Sequence, residues 1–540
     1  MQMILQSRFY KSKKLLLVED CEPVRASIKG MLQQIGFEQI TAVADATAAL
    51  AHAKKQQFDF IVADFQLGEG KDASQFFAEL KLHGWLKAGA CFAIMSAEPI
   101  RQPVHGMLSG LPDCYLLKPF SYVELEKKLA KAFQTSIALR KIYQAAASAD
   151  YQEAITQADE VVKQHPSLTL QALRLKAEVM LAAGDGKAAL GLYQYVCQQR
   201  DFSWARLGQA IALLQLSRFA EAATQLQELL KQEELRPEAL ACLVQLALLQ
   251  GELQEAKAWV LELLRINPTD NIYQQYYGNL LHLLGDDAAA IAYWQKLLQQ
   301  YRFSAFDHIE PYLALGRSQL LAAQQADLAS YSPLIKQFFD TVQSIPLKLL
   351  TAPGAVQQKI QLAQGYLLQG DGAKSAALQA EIAAFDGSLP LSSMLDLVRY
   401  HVACNDSMAA GELLKQANLL ADTLSKNCQG LAPLVVQHFT TMLKASNQQL
   451  RQWQQQGGQQ LQADKPKAAL QLLRSAFLLC PAHSATSLQL LQALAMLPGH
   501  KALKPLASAV LQLLNTKALS SSERSKLTEL TNSLPELYLD

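Results

Sequence analysis

The sequence predicts an α/β domain over residues 13–133 and an all-α array from residue 134 to the end of the 540-residue chain. Three observations carry that prediction. Four short apolar runs each end in a polar residue, a long apolar stripe at helical spacing follows them, and beyond it an alanine recurs at a near-constant interval.

The four runs are Leu15-Leu16-Leu17-Val18 before Glu19 and Asp20, Phe58 to Ala63 before Asp64, Cys91 to Met95 before Ser96, and Tyr115-Leu116-Leu117 before Lys118. Read as parallel strands, they deliver every polar group to the carboxyl edge of one sheet, where ligands bind in open α/β folds. Three carboxylates gathered there repel one another and call for a hard cation, and Mg²⁺ is held by one or two carboxylates together with water and phosphate oxygens. A carboxylate becomes a phosphoryl acceptor once a metal and cationic groups neutralise the incoming charge. Asp64 is the candidate acceptor. The Lys118 ammonium supplies a point charge for one phosphoryl oxygen, and the Ser96 hydroxyl donates a hydrogen bond to another.

Glu19-Asp20, Asp64, Ser96 and Lys118-Pro119-Phe120 together resemble the receiver domain of bacterial response regulators. The resemblance implies a flavodoxin-like fold with a five-stranded parallel sheet, phosphorylated by a sensor histidine kinase. It further implies Glu19, Asp20, Asp64 and the main-chain carbonyl of Gln66 as Mg²⁺ ligands. Asp64 is then the phospho-acceptor, Lys118 and Ser96 assist the transfer, Ser96 and Tyr115 act as switch residues, and the Lys118–Pro119 bond is cis. Two departures are visible. The loop Phe65-Gln66-Leu67-Gly68-Glu69-Gly70-Lys71-Asp72 lacks the proline common there, so a looser loop beside the pocket is expected. Pro99, Pro103 and Gly106 break a regular helix in the segment that carries the family's fourth helix, so partner binding there is expected to be atypical.

Next along the chain, Ser121 and Glu124 have capping-box spacing, and Leu125, Leu129, Phe133, Ile137, Ile142 and Tyr143 continue a helical stripe. No Gly or Pro interrupts it before Pro166. A continuous helix transmits rotation and tilt where a Gly/Ser-rich tether would decouple its two ends. Mechanical coupling to the array is therefore expected.

In the array, Ala154, Ala189, Ala222, Ala256 and Ala290 are 35, 33, 34 and 34 residues apart. Gly184, Gly251 and Gly285 each stand five residues before their alanine, and Pro166 and Pro268 stand twelve after theirs. The unit reads as helix, turn, helix: the small residue admits a close neighbour, the glycine ends one helix and the proline ends the next. This pattern resembles the tetratricopeptide repeat family, which implies a superhelix of stacked helix pairs used for protein binding. A first arc is expected over 134–304. Residues 305–358, with Pro311, Pro333, Pro346 and Pro353, fit the period poorly and are expected to form longer helices or an irregular junction. Ala469 with Pro481, and Leu362 to Phe385 with Gly370, suggest a second repeat-like arc over 359–540, closed by a capping tail. Tyr193, Trp204, Tyr273, Tyr276, Tyr277 and Trp294 are groove or core candidates, with Trp294 expected in the core.

Composition narrows the function. With 49 Lys and Arg against 48 Asp and Glu there is no basic excess for nucleic acid, and no helix-turn-helix is legible, which disfavours DNA binding and an RNA-reading array. No apolar run is long enough to span a membrane, and residues 1–14 lack a signal-peptide core, so a cytoplasmic protein without membrane insertion is expected. The eight cysteines lack metal-ligand spacing, and no motif of an output enzyme appears among ten dispersed histidines. The expected function is a phosphorylation-controlled adaptor with no enzymatic activity beyond phosphoryl transfer at Asp64. The alternative is a phosphate sink or kinase competitor without its own output.

Overall fold

The computed structural model describes residues 7–67, 72–87, 89–98, 112–268, 270–301, 307–428, 431–517 and 519–538. The chain divides into two compact units, Met1–Leu246 and Ala247–Asp540.

The first unit opens with a five-stranded parallel sheet of β1 (Lys14–Val18), β2 (Gln39–Val43), β3 (Phe60–Asp64), β4 (Cys91–Ser96) and β5 (Cys114–Leu117), in the order β2-β1-β3-β4-β5. Side chains of a strand alternate between faces, and the sequence supplies apolar groups for both. Leu15, Leu17, Phe60 and Val62 meet Ile28 and Leu32 of the helix Glu22–Ile35 on one face. Leu16, Val18, Ile61 and Ala63 meet Ala49 and Leu50 of Ala46–Lys55 and Phe76 and Phe77 of Ala73–Leu82 on the other. The strand register aligns Val18 with Ala63, Asp64 with Met95 and Ser96 with Leu117, so all the polar strand ends share one edge. Pro99, Pro103, Gly106 and the loop residues Gly68 to Lys71 lie outside the described residues.

The helix Tyr122–Ala147 belongs to two cores. Its N-cap is Ser121, whose hydroxyl accepts from the Glu124 amide at 3.3 Å. Leu125, Leu129, Ala132 and Phe133 pack into the sheet, and the Ser136 hydroxyl donates to the Ala90 carbonyl at 3.3 Å. One to two turns later Leu139, Ile142 and Ala145 pack with Ala154, Ala158, Val161, Leu175 and Val179 of the next two helices, Tyr151–Gln164 and Thr169–Ala182. No break separates the two sets.

Helix pairs then recur with one turn geometry. Ala149, Gly184, Ser217, Gly251 and Gly285 all have positive φ, between 57° and 83°, and each stands five residues before one of the five spaced alanines. All five alanines are fully buried. Gly370, Asn405 and Asp464 repeat the conformation five residues before the buried Ser375, Ala410 and Ala469. Only glycine adopts this left-handed turn without a steric cost, so Ala149 and Ser217 hold it against their own preference. The following residue caps the next helix wherever it is aspartate: Asp150, Asp185, Asp286, Asp371 and Asp406 each accept a backbone N–H at 2.9–3.1 Å. Trp294 is 1 % exposed, as expected, and Tyr193 is fully buried. Their rings lie against Gly278 and Gly208, where a Cβ would not fit. Trp204, Tyr273, Tyr276 and Tyr277 are half-buried.

In the second unit the helices Ile309–Gln325, Leu328–Gln343 and Ala352–Gln369 run 17, 16 and 18 residues. Pro311 and Pro353 fall in first turns, where a missing N–H costs little, and Pro333 sits inside its helix. One core joins Tyr312, Leu313 and Leu367 to Leu470, Phe477, Leu491, Leu513 and Tyr538. Polar contacts close the same distance: Arg474 Nη2 donates to the Ala326 carbonyl at 2.7 Å and Gln324 Nε2 to the Leu478 carbonyl at 3.2 Å. The helix Ser521–Ser533 opens with a capping box that pairs Ser520 with Glu523.

Candidate functional site

At the carboxyl edge of the sheet, one oxygen from each of Glu19, Asp20 and Asp64 lies within 4.8 Å of the others. Glu19 follows β1 and is buried, Asp64 ends β3 and is partly exposed, and Asp20 is exposed. Lys118, just past β5, bridges two of them, with Nζ 2.8 Å from Glu19 Oε2 and 2.6 Å from Asp64 Oδ1. Burial pushes the Glu19 carboxyl above its ordinary range and Asp64 adds to the shift, while the Lys118 contact opposes both. Burial disfavours the Lys118 ammonium too, yet Asp64 and Glu19 outweigh it and raise the lysine's pKa. The donor set is all hard oxygen around one ammonium, with negative charge in excess. That chemistry fits a divalent cation such as Mg²⁺.

The other residues singled out from the sequence lie around this cluster. Ser96 ends β4 and is buried, and its hydroxyl accepts from the Glu98 amide at 3.1 Å. The Lys118 amide donates to the Ser96 carbonyl at 2.7 Å, tying the ends of β4 and β5 together. The Lys118–Pro119 peptide is cis. Gln66 is exposed two residues beyond β3. Tyr115 is half-buried on β5 and packs against the cluster that holds Phe76, Phe92 and Ile94. Burial raises its hydroxyl pKa.

Sequence reasoning missed two arrangements. Arg25, one turn into the helix Glu22–Ile35, donates from Nη1 to the carbonyl of Glu19 at 2.6 Å and of Asp20 at 3.1 Å. Its targets are main-chain atoms, which leave no signal in side-chain pattern. The other lies in the second unit, around the helix Ile309–Gln325. Arg317 pairs Nε and Nη2 with the two oxygens of Asp396, both at 2.8 Å, and Arg399 Nη1 approaches Asp396 Oδ1 at 3.0 Å. Gln361 Nε2 donates to Asp396 Oδ2 at 3.1 Å, and Gln364 Nε2 to the Asp396 carbonyl. Burial opposes ionisation of Asp396, but Arg317 and Arg399 hold its pKa below the usual range. Burial pulls Arg399 down to about 10.

Beside this network Ser318 Oγ lies 2.9 Å from His282 Nε2, and His282 Nδ1 lies 2.9 Å from Asp287 Oδ1. The order of contacts is that of a serine hydrolase triad. Ser318 is 0 % exposed, however, and its hydroxyl is also 2.7 Å from the Ala314 carbonyl one turn back. A substrate carbonyl has no approach to it, so the triad is a packing element. Among the described residues, no helix is long and apolar enough to cross a membrane.

Comparison with known proteins matches two family models. The response regulator receiver domain matches residues 15–130, and the tetratricopeptide repeat matches residues 139–203 and 207–271. The chemotaxis protein CheY-3 of Vibrio cholerae is 28% identical over 124 residues, covering 23% of this chain and 94% of the relative. The chemotaxis protein CheY of Pseudomonas aeruginosa is 26% identical over 121 residues, or 22% of this chain and 96% of the relative. Among solved structures, the Naa15/Naa10 complex bound to HypK-THB is similar at 12% identity, covering 75% of this chain and 79% of that one with a TM-score of 0.27. The APC/C hetero-tetramer Cut9-Hcn1 covers 74% and 97% at 12% identity with a TM-score of 0.24. At these scores neither structure bears on the function of this chain.

Proposed function

Since the chain joins a response regulator receiver domain to tetratricopeptide repeats, we propose that it is a phosphorylation-controlled adaptor. Asp64 accepts a phosphoryl group from a histidine kinase, and the helix Tyr122–Ala147 relays the change to a protein-binding surface on the repeats. The observation that carries the reading is that helix: its Phe133 turn is part of the sheet's core and its Ile142 turn is part of the first repeat's core.

The residues at the sheet edge divide the work. Glu19, Asp20 and Asp64, with the Gln66 main-chain carbonyl, hold Mg²⁺, which when bound neutralises negative charge on the acceptor and the incoming phosphoryl group. Asp64 is the nucleophile, and its exposure beside Lys118 leaves a face open to a donor. Lys118 pairs with Asp64 before transfer and moves to a phosphoryl oxygen afterwards, while Glu19 keeps its other contact. Ser96 exchanges its contact with the Glu98 amide for a hydrogen bond to the phosphate, and Tyr115 follows on β5. Two charge-assisted bonds supply about 3–6 kcal/mol, against roughly 5.5 kcal/mol needed to invert a 1:99 population, so the phosphate is a substantial bias on the joint.

The test has two stages. Intact-mass measurement after incubation with Mg²⁺ and a small phospho-donor is expected to show one added phosphate on the parent and none on Asp64→Asn. Amide exchange across residues 139–164 is then expected to differ between the phosphorylated and free forms. Identical exchange at full phosphorylation would remove the relay and leave a phosphate sink.

A further inference from the structure

We infer that Arg25 is a positioning residue for the acidic cluster, holding the Glu19–Asp20 segment so that both carboxylates face one cation; this rests on the proposed phospho-accepting site. The geometry is specific. One guanidinium nitrogen, Nη1, carries two hydrogens and meets two successive carbonyl oxygens, of Glu19 at 2.6 Å and Asp20 at 3.1 Å. Arg25 is itself fixed by the first turn of its helix, where its amide donates to the Cys21 carbonyl at 2.8 Å. On the other side of the segment the Glu19 amide donates to the Val43 carbonyl of β2 at 3.1 Å. The peptide between strand and helix is thus held from both flanks.

The Arg25 side-chain hydrogen bonds go to the main-chain carbonyls of Glu19 and Asp20, so its effect passes through the ligands. With both carbonyls drawn toward the guanidinium, the side chains that leave the same residues are restricted in direction. A small cation with strict octahedral demands gains most from such restriction. Contacts of this outer kind are worth about 10- to 100-fold in metal affinity elsewhere.

The experiment uses the full-length chain with Arg25→Met, which keeps the apolar stem, and Arg25→Lys, which keeps a charge and donors. Mn²⁺ binding is read from loss of the free-ion electron paramagnetic resonance signal. The Mg²⁺ dependence of phosphorylation is read from intact mass, and melting temperature is recorded alongside. The expected result is a rise of about tenfold or more in the Mn²⁺ dissociation constant of Arg25→Met. A parallel rise in half-saturating Mg²⁺ is expected with it, the parent's rate returning at saturating Mg²⁺ and Arg25→Lys falling between. Unchanged Mn²⁺ affinity overturns the inference even if the melting temperature drops, because a merely structural arginine would do that. Should Arg25→Met not fold, Arg25→Gln with Arg25→Lys carries the same decision. A parent that binds no Mn²⁺ and takes no phosphate defeats the underlying site instead, which keeps the two failures apart.

Discussion

The repeats of residues 151–229 and the helices of residues 309–538 reuse one helix–turn–helix unit, yet they are held together by different means. In the first stretch each helix buries alanine and leucine against its sequence neighbours, as Ala154, Ala158 and Val161 do with Leu175 and Val179. Stability built this way is close to a sum of nearest-neighbour terms. In the second stretch the helix Ile309–Gln325 is buried from Pro311 to Leu320 on every side, and it takes Arg317, Ser318 and Gln319 inside with it. A helix surrounded in this manner cannot send its polar residues to water. The charge must be matched internally, and Asp396, 79 positions away, does so. The same local unit therefore gives a stack whose buried charge, Glu178, is met one turn away by Arg174, and a body in which the match comes from a distant helix.

Breaking the internal match should show the difference most strongly. Asp396→Ala leaves Arg317 and Arg399 without their acid and is expected to cost about 3–5 kcal/mol in urea unfolding, whereas Arg317→Met with Asp396→Leu, which still leaves Arg399 unmatched, is expected to recover part of it. A small loss in the single variant would mean that the network is solvated and the second unit as loose as the first. In the first unit the corresponding weak point is steric. Gly208→Ala drives a Cβ into the Tyr193 ring, and a loss of about 1–3 kcal/mol is expected from the same measurement. Gain is available there as well. Ala149→Gly and Ser217→Gly remove the left-handed strain of the repeat turn and are each expected to add up to about 1 kcal/mol, less the entropy glycine loses on folding.

The gentlest probe is pH. Burial lowers the pKa of His282 below its unfolded value, with Arg317 and Arg399 adding to the shift and Asp287 opposing it. As pH falls the unfolded state takes the proton first, so this contribution is complete above about pH 6.5 and declines below it. His438 and His483 are lowered by burial too and act with the same sign. The comparison is therefore with His282→Gln, whose thermal stability is expected to fall less than the parent's between about pH 7.5 and 5.5. Equal slopes would place His282 outside the titration.

What could be read from the sequence follows from which signals are local. The strand ends at Glu19, Asp64, Ser96 and Lys118 were legible because apolar runs and the polar residues that stop them are contiguous. β2 left no such run: Gln39-Ile40-Thr41-Ala42-Val43 is a half-buried edge strand with a polar start. The repeat turn was legible at Gly184, Gly251 and Gly285 and hidden at Ala149 and Ser217, which adopt positive φ against their preference, and at Asn405 and Asp464, which tolerate it but carry no glycine to mark it. Arg317 and His282 were invisible for a further reason. Their partners Asp396 and Ser318 are 79 and 36 positions away, and nothing in a single chain pairs isolated polar residues at such range.

The helix Tyr122–Ala147 also sets a rule of phase. At about 100° per residue, adding a single residue between Phe133 and Leu139 would swing the Ile142 face, with Ala154 and Val179 packed on it, around the helix axis relative to Phe133 and the sheet. Adding seven would bring both faces back to within about 20°. The sheet and the first repeat are thereby geared to each other like two wheels on one shaft, and the number of teeth between them can change only by whole turns.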